Sequence, residues 1–352
     1  MTSRPAVDSA LVDVARLAAW LGTDETVTVA RVGEGHSNLT YAVQAGRQHW
    51  VLRRPPAGPL LPTAHDVVRE YRVLDLLTRA EQPVRVPRPV AVCEDPEVLG
   101  APFYLMEQVD GVVVRDTLPG WLDEPARRAL GLDLATAFAE LHRVDIEPFV
   151  AAGLGRPDGY LARQLRRWAG QREGIQAAVA AAGGRARELP DYDAVRDWLV
   201  AHLPAEAEPA VVHGDAKLDN VVVGPGETPA VAAVLDWEMA TVGDPRADLG
   251  YLLSFWPEPF VEGSRAHPLA QLVTAGAGFP SRDELVATWE QGTGRTAGDL
   301  TWFVTLAIWK LAVLLEASYH RHLAGTTDDP FFGTLEHGVP ALLAHARETC
   351  RG

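Results

Sequence analysis

The spacing of apolar and polar positions changes period along the chain. Residues 27–56, VTVARVGEGHSNLTYAVQAGRQHWVLRRPP, alternate with a period of two, and Gly33, Gly35 and Gly46 stand where the alternation breaks. That spacing predicts three antiparallel strands. Pro55, Pro56, Pro59 and Pro62 then end the pattern, because proline brings no amide to a ladder. Over residues 63–80 the period lengthens, and Val67, Tyr71, Leu74 and Leu77 fall on one helical stripe. RPVAV (88–92) and FYLMEQV (103–109) predict two more strands. From about Asp123 helical spacing dominates, as in Ala126–His142, where Leu130, Leu134, Phe138 and Leu141 align. A β-rich first third is thus followed by a helical remainder, with the change near Asp110-Gly111.

One stretch inside the helical part reverts to strands. In VVHGDAKLDNVVV (211–223), Ala210–Val212 and Val221–Val223 are short and β-branched, which suits buried strands. They enclose His213, Asp215, Lys217, Asp219 and Asn220. A loop held between buried strands is a rigid platform of the kind that carries reactive groups. GPGETPA (224–230) makes a turn, and VAAVLDWE (231–238) runs back as a second apolar strand ending in Asp236. The hairpin returns Asp236 towards Asp215 and Asn220. Carboxylate and amide oxygens are hard ligands that suit Mg²⁺ completed by phosphates. A further aspartate can take the proton of an attacking hydroxyl. Phosphoryl transfer needs these parts, together with cations on the phosphates.

Composition narrows the partners. The chain has 352 residues, 47% apolar and 22% charged, which reads as a soluble globular protein long enough for two domains. A net charge of −15 without a Lys/Arg block argues against nucleic acid and membrane partners. An anionic ligand would have to be met by local cations. Two cysteines, Cys93 and Cys350, exclude a disulfide scaffold and fit a reduced, cytoplasmic setting. Asp8 and Asp13 interrupt any signal peptide, so the first 22 residues read as an amphipathic helix. The apolar run WFVTLAIWKLAVLLEA (302–317), broken by Lys310 and Glu316, is short for a bilayer and predicts a core helix. AAVAAAGGRARELP (177–190) reads as a helix end and surface loop without function.

HGDAKLDN (213–220), LDWE (235–238) and GDPRADLGYLL (243–253) together resemble the aminoglycoside phosphotransferase family of kinase-like enzymes, in particular the branch also found fused to acyl-CoA dehydrogenases. The first motif is also similar to the His-Arg-Asp-x4-Asn loop of protein kinases, with Gly214 in the Arg position. The resemblance spans about residues 25–320. It implies an α+β, two-lobed protein-kinase-like fold: an N-lobe of residues 1–108 with an antiparallel sheet that binds nucleotide, and a mainly helical C-lobe of residues 109–352 with the catalytic loop and substrate site. It implies Asp215 as catalytic base, Asn220 and Asp236 as Mg²⁺ ligands, and ATP or GTP as phosphoryl donor. RVGEGHSNLTY (31–41) corresponds to the phosphate-covering loop, where Gly33 and Gly35 admit the phosphates to backbone amides and Ser37 and Asn38 donate further. In HWVLRRPP (49–56) the family's usual lysine is replaced by arginine, falling on Arg53, with Arg54 as the other register. Its expected partner is Glu70, an acid on an apolar stripe that needs a cation.

The backbone of Glu107–Val109 would be the hinge that meets the purine. Lys217 either reaches the γ-phosphate or is a solvated surface lysine. His213 is expected to brace the loop, Asp219 to be solvated, Asp244 to cap the helix that Pro245 starts, and Asp248 to hold the loop backbone. The activity implied is small-molecule O-phosphotransfer to a hydroxyl. The dehydrogenase-associated branch points to a hydroxy acid or hydroxyacyl-CoA, and the antibiotic phosphotransferases to an aminoglycoside. GYLARQLRRWAGQR (159–172) places Arg163 and Arg167 four apart beside Trp168, either a grip for an anionic acceptor or a solvated helix face. Two other readings stay open. Arg53 favours a kinase-like nucleotide-binding module without turnover. A metal-dependent hydrolase would use His213, Asp215, Asp236 and Glu238, but leaves the glycine loop without a role.

Overall fold

The structure is a computed structural model that describes residues 11–32, 38–56, 66–224, 229–257, 272–325 and 329–351. The alternating segment forms β1 (Val27–Arg31), β2 (Leu39–Ala45) and β3 (Gln48–Arg54), paired antiparallel as expected. Gly46, at φ 57°, makes the tight turn that sets Ala45 opposite Gln48. With β4 (Pro89–Cys93) and β5 (Phe103–Glu107) the sheet has the order β1-β2-β3-β5-β4. β5 lies between β3 and β4 and is apolar on both faces. Phe103 and Leu105 pack with Leu17 of α1 (Val14–Leu21) and Leu99 of α3 (Pro96–Leu99). Tyr104 and Met106 turn the other way, to α2 (Val67–Thr78). Asp13 caps α1 and Asp66 caps α2 through backbone N–H groups of their first turns. Val67, Leu74 and Leu77 are buried on α2, and Tyr71 lies at the edge of that stripe. Gly33, Gly35 and Ser37 lie outside the described residues, as does the start of the expected N-terminal helix.

The remainder contains α4 (Glu124–Leu141), α5 (Glu147–Ala151), α6 (Tyr160–Ala181), α7 (Pro190–Ala201), α8 (Arg246–Ser254), α9 (Arg282–Thr293), α10 (Thr301–Leu323) and α11 (Pro330–Thr349). Between α7 and α8 run β6 (Ala210–Val212), β7 (Val221–Gly224), β8 (Ala230–Val234) and β9 (Thr241–Gly243). The strands flanking the HGDAKLDN loop do not pair with each other. β6 pairs with β9, and β7 with β8, both antiparallel. The loop is therefore pinned at each end by a different ribbon.

By composition α10 is apolar enough to cross a membrane, with a mean hydropathy of 1.4, but 72% of that window is buried in the fold. It packs against α6, α7, α8 and α11 as a core helix. The 177–190 segment is a helix end and loop, yet it is not a passive surface. Arg187 reaches from it to the buried Glu316 of α10 at 3.1 Å. The apolar cluster on the α2 side of the sheet continues without a break into the helices, so the sheet and the helical part share a core.

Candidate active site

β6 delivers His213 into a fully buried slot between the rings of Phe138 and Trp237, 5.9 and 4.7 Å away. Its Nε2 donates to the Leu235 carbonyl (2.8 Å) and its Nδ1 accepts the Asp215 N–H (3.1 Å). One neutral imidazole thus ties the start of the loop to the residue before Asp236. Asp248, in the first turn of α8, accepts the N–H groups of His213 (2.6 Å) and Gly214 (2.7 Å). It also accepts from His142 Nε2 at 3.1 Å, while Trp289 donates to His142 Nδ1 at 2.8 Å, which fixes the His142 proton on Nε2. Gly214 has φ 84°, and a Cβ there would lie 2.9 Å from the Met239 carbonyl oxygen. That explains a glycine where protein kinases carry arginine.

Asn220 donates through Nδ2 to the Asp215 carboxylate (2.7 Å) and carbonyl (2.9 Å). Burial pushes the Asp215 carboxyl up, but Lys217, Lys310 and a hydrogen bond from Tyr251 outweigh it and hold it at about 2. Lys217 pairs with Asp215 at 3.4 Å and with Asp219 at 3.5 Å. Asp219 was expected in solvent. It is half-buried, because Lys217 folds back over the loop, and burial raises its pKa against the pull of that lysine.

Asp236 has φ 66° and is the one non-glycine residue with positive φ among the described residues. This turn aims its carboxylate at Arg53, 3.2 Å away. Arg53 also pairs with Glu70 at 3.3 Å, and Trp237 donates its N–H to the same Glu70 at 3.2 Å. β3 therefore uses Arg53 inward, while Arg54, on the opposite face, donates to the Leu99 carbonyl at 2.9 Å. Burial pushes the Glu70 carboxyl up to about 7; Arg53 pulls it down, and Asp236, sharing that guanidinium, raises it again. Burial works against the charge on Arg53 too, but its two carboxylates outweigh that and keep it charged.

Among the described residues no three His, Cys, Asp or Glu side chains converge to hold a metal by themselves. Asn220 commits its N–H groups to Asp215, and its Oδ1 accepts no hydrogen bond among the described residues. Asp236 engages Arg53 through Oδ1. One amide oxygen and one carboxylate oxygen remain, which fits Mg²⁺ completed by phosphates rather than a closed protein cage. Asn38 is buried, donates to Glu238 at 3.4 Å, and its Oδ1 has no partner among the described residues.

Other expected residues fall into place differently. Glu107 ends β5 with its N–H on the Arg88 carbonyl (2.9 Å), and Val109 is half-buried in the link that follows. Asp244 is not the N-cap of α8, which is Pro245. It lies one residue earlier, where Oδ1 takes the Arg246 N–H and Oδ2 the Ala207 N–H, each at 3.0 Å. Trp168 offers no exposed surface: it is 1% exposed and donates to Gln164 at 3.0 Å. Adjacent helical positions point about 100° apart. Trp168 therefore follows Leu161 and Leu165 inward while Arg167 stays exposed, its guanidinium 5.0 Å from the Trp168 ring centroid. Arg163 is committed to the carbonyls of Arg156 (2.7 Å) and Asp158.

Sequence reasoning missed Tyr251 and the placement of Lys310. The charge inside an apolar helix signalled Lys310. Nothing in GYLL marked Tyr251.

The profile of the phosphotransferase enzyme family matches residues 28–285, from β1 into α9. The chain belongs to that family. The chain is 35% identical over 319 residues to human Acyl-CoA dehydrogenase family member 11, and 32% identical over 314 residues to mouse Acyl-CoA dehydrogenase family member 10. These matches cover 88% and 87% of this chain but 38% and 28% of the relatives, so it spans under two-fifths of their length. A solved structure from Ralstonia eutropha JMP134, provisionally named an aminoglycoside phosphotransferase, is 30% identical with a TM-score of 0.76, covering 96% of this chain and 98% of that one. The macrolide 2'-phosphotransferase MphH from Brachybacterium faecium is 20% identical with a TM-score of 0.56, covering 96% and 98%, and shares the fold. The two-lobed kinase-like phosphotransferase fold expected from the sequence is the fold observed.

Proposed function

We propose that this phosphotransferase moves the γ-phosphoryl group of ATP or GTP to a hydroxyl of a small molecule. One observation carries the reading: Asp215 and Asn220 from one loop and Asp236 from the end of the β8 segment converge on one place, where Lys217 feels both carboxylates and Arg53 joins Asp236 to Glu70. A carboxylate held at about 2 is ionised at neutral pH and can orient the acceptor hydroxyl. As the hydroxyl oxygen bonds the γ-phosphorus and the bond to the β–γ bridging oxygen breaks, Asp215 takes the hydroxyl proton and the nucleoside diphosphate leaves. Arg53 is poised to grip the donor phosphates, with a fork that a lysine lacks. Mg²⁺, bound by Asn220, Asp236 and phosphate oxygens, would neutralise the charge on those phosphates. Structures of the same fold carry AMP-PNP with hygromycin B in aminoglycoside phosphotransferase APH(4)-Ia, and GDP in aminoglycoside 2'-phosphotransferase-IIIa.

For the acceptor we infer a hydroxy acid or hydroxyacyl-CoA. Arg167 supports this: an exposed cation with no ion pair among the described residues, resting on the Trp168 ring beside Lys310. The names of the relatives point the same way. The test has two stages. Mg²⁺ with ATP or GTP should raise Tm, since a ligand of the folded state stabilises it by mass action. Nucleoside diphosphate release should then be measured with hydroxy acids, hydroxyacyl-CoA esters and aminoglycosides. No Tm shift with either nucleotide would remove the kinase reading. A shift without release from any acceptor would favour a binding module. A cationic best acceptor would remove the acid assignment.

A further inference from the structure

Lys310 sits in the apolar middle of α10 and is 7% exposed. A buried ammonium needs strong compensation. Among the described residues no carboxylate reaches it as an ion pair. Its ammonium instead donates to the Gly214 carbonyl and lies 4.5 Å from the Tyr251 ring centroid and 5.4 Å from that of Trp168. Gly214 immediately precedes Asp215, and its own N–H is held by Asp248. Tyr251, one turn beyond Asp248 on α8, gives its hydroxyl to Asp215. Lys310 therefore touches both groups that aim the Asp215 carboxylate from the α10 side.

We propose, on the reading of Asp215 as the group that receives the acceptor's proton, that Lys310 is a positioning residue: its charged ammonium pins the Gly214 carbonyl and the Tyr251 ring, and so sets the direction of Asp215. Both contacts depend on charge. A neutral amine keeps at most a weak hydrogen bond to the carbonyl and loses the attraction to the ring. Burial lowers the Lys310 pKa; Asp215 and Asp248 hold it up, and Arg167 and Lys217 push it down again, leaving it at about 8. The neighbours that titrate lie elsewhere. Lys217 is raised by its two aspartates against burial, and burial raises Tyr251 well above its ordinary value. The charged form holds the loop below about pH 8 and is lost above it.

The wild-type kcat should then fall as pH rises through about 8, while the nucleotide KM stays constant. Lys310→Arg, whose guanidinium stays charged (pKa above ~12), should move that alkaline limb up by about one pH unit or more. Lys310→Met should lack the limb and lower kcat at neutral pH by roughly 10–10². Hydrogen exchange of the 213–217 amides, corrected for intrinsic rates, reads the loop without turnover. In wild type, protection should drop across pH 8; in Lys310→Arg it should not. If no acceptor is ever phosphorylated but the exchange step appears and Lys310→Arg abolishes it, the catalytic reading fails and the positioning stands. If Lys310→Arg shows the same pH limb and the same exchange as wild type, the inference is overturned, whether or not Lys310→Met folds.

Discussion

At Asp236 the backbone pays for the chemistry. A non-glycine residue at φ 66° is strained, and the strain places a carboxylate against Arg53. Asp236→Gly should relieve the strain and delete the proposed Mg²⁺ ligand together. Without nucleotide its stability should stay within about 1 kcal/mol of wild type, while the Mg²⁺-dependent part of the nucleotide Tm shift disappears. A retained shift would take Asp236 out of the metal site. Asp215→Asn keeps the shape that Asn220 holds and loses the proton acceptor. It should bind nucleotide normally and lower kcat by ~10²–10⁴, read by single-turnover kinetics once an acceptor is found. Arg53→Ala should raise the nucleotide KM. Arg53→Lys should recover part of the loss, because a point charge survives without the fork.

Among the elements, α10 carries two buried charges with separate tasks. Glu316 is fully buried and accepts from Arg187 (3.1 Å), Arg172 (3.5 Å) and His320 (3.1 Å). Arg187 also donates to the Leu335 carbonyl at 3.0 Å, so one carboxylate joins α6, α10, α11 and the loop before α7. Glu316→Ala leaves guanidinium groups buried without their anion. It should destabilise the fold by about 3–5 kcal/mol, measured by urea unfolding, while the kcat of the folded fraction is unchanged. This junction was not legible in the sequence. A run of small residues around Arg187 looks like a solvated loop until a helix more than a hundred residues away supplies the acid. The stripes of α2 and α4 were legible, because a helix repeats its buried face every few residues and needs no distant partner to declare it.

Across the whole molecule, Arg69 fastens the sheet side to the catalytic side. From α2 it donates to the carbonyls of Glu238 (3.3 Å), Leu154 (3.1 Å) and Ala240. Two of these acceptors belong to the turn that follows Asp236. Arg69→Ala should cost about 1–3 kcal/mol for carbonyls left unpaired and should raise the nucleotide KM, because the turn carrying Asp236 loses its tether. Arg72→Ala is the control. Arg72 lies on the exposed face of the same helix, 3.9 Å from Glu94, and such pairs contribute little. Equal effects of the two variants on Tm and KM would show that Arg69 is no tether.

The sequence by itself determined what lies close along the chain. The strand alternation, the helix stripes and the eight residues from His213 to Asn220 are local, and short-range geometry constrains them strongly. It left Arg53 and Arg54 open, because alternate strand residues face opposite ways and only the packing of α2 onto the sheet says which side is inward. It left Trp168 and Arg167 open for the same reason on a helix. The tertiary structure alone decided that Lys310 answers to Gly214, 96 residues before it. A charge in an apolar helix announces that it needs a partner, but which partner depends on a meeting of distant surfaces that no local pattern encodes.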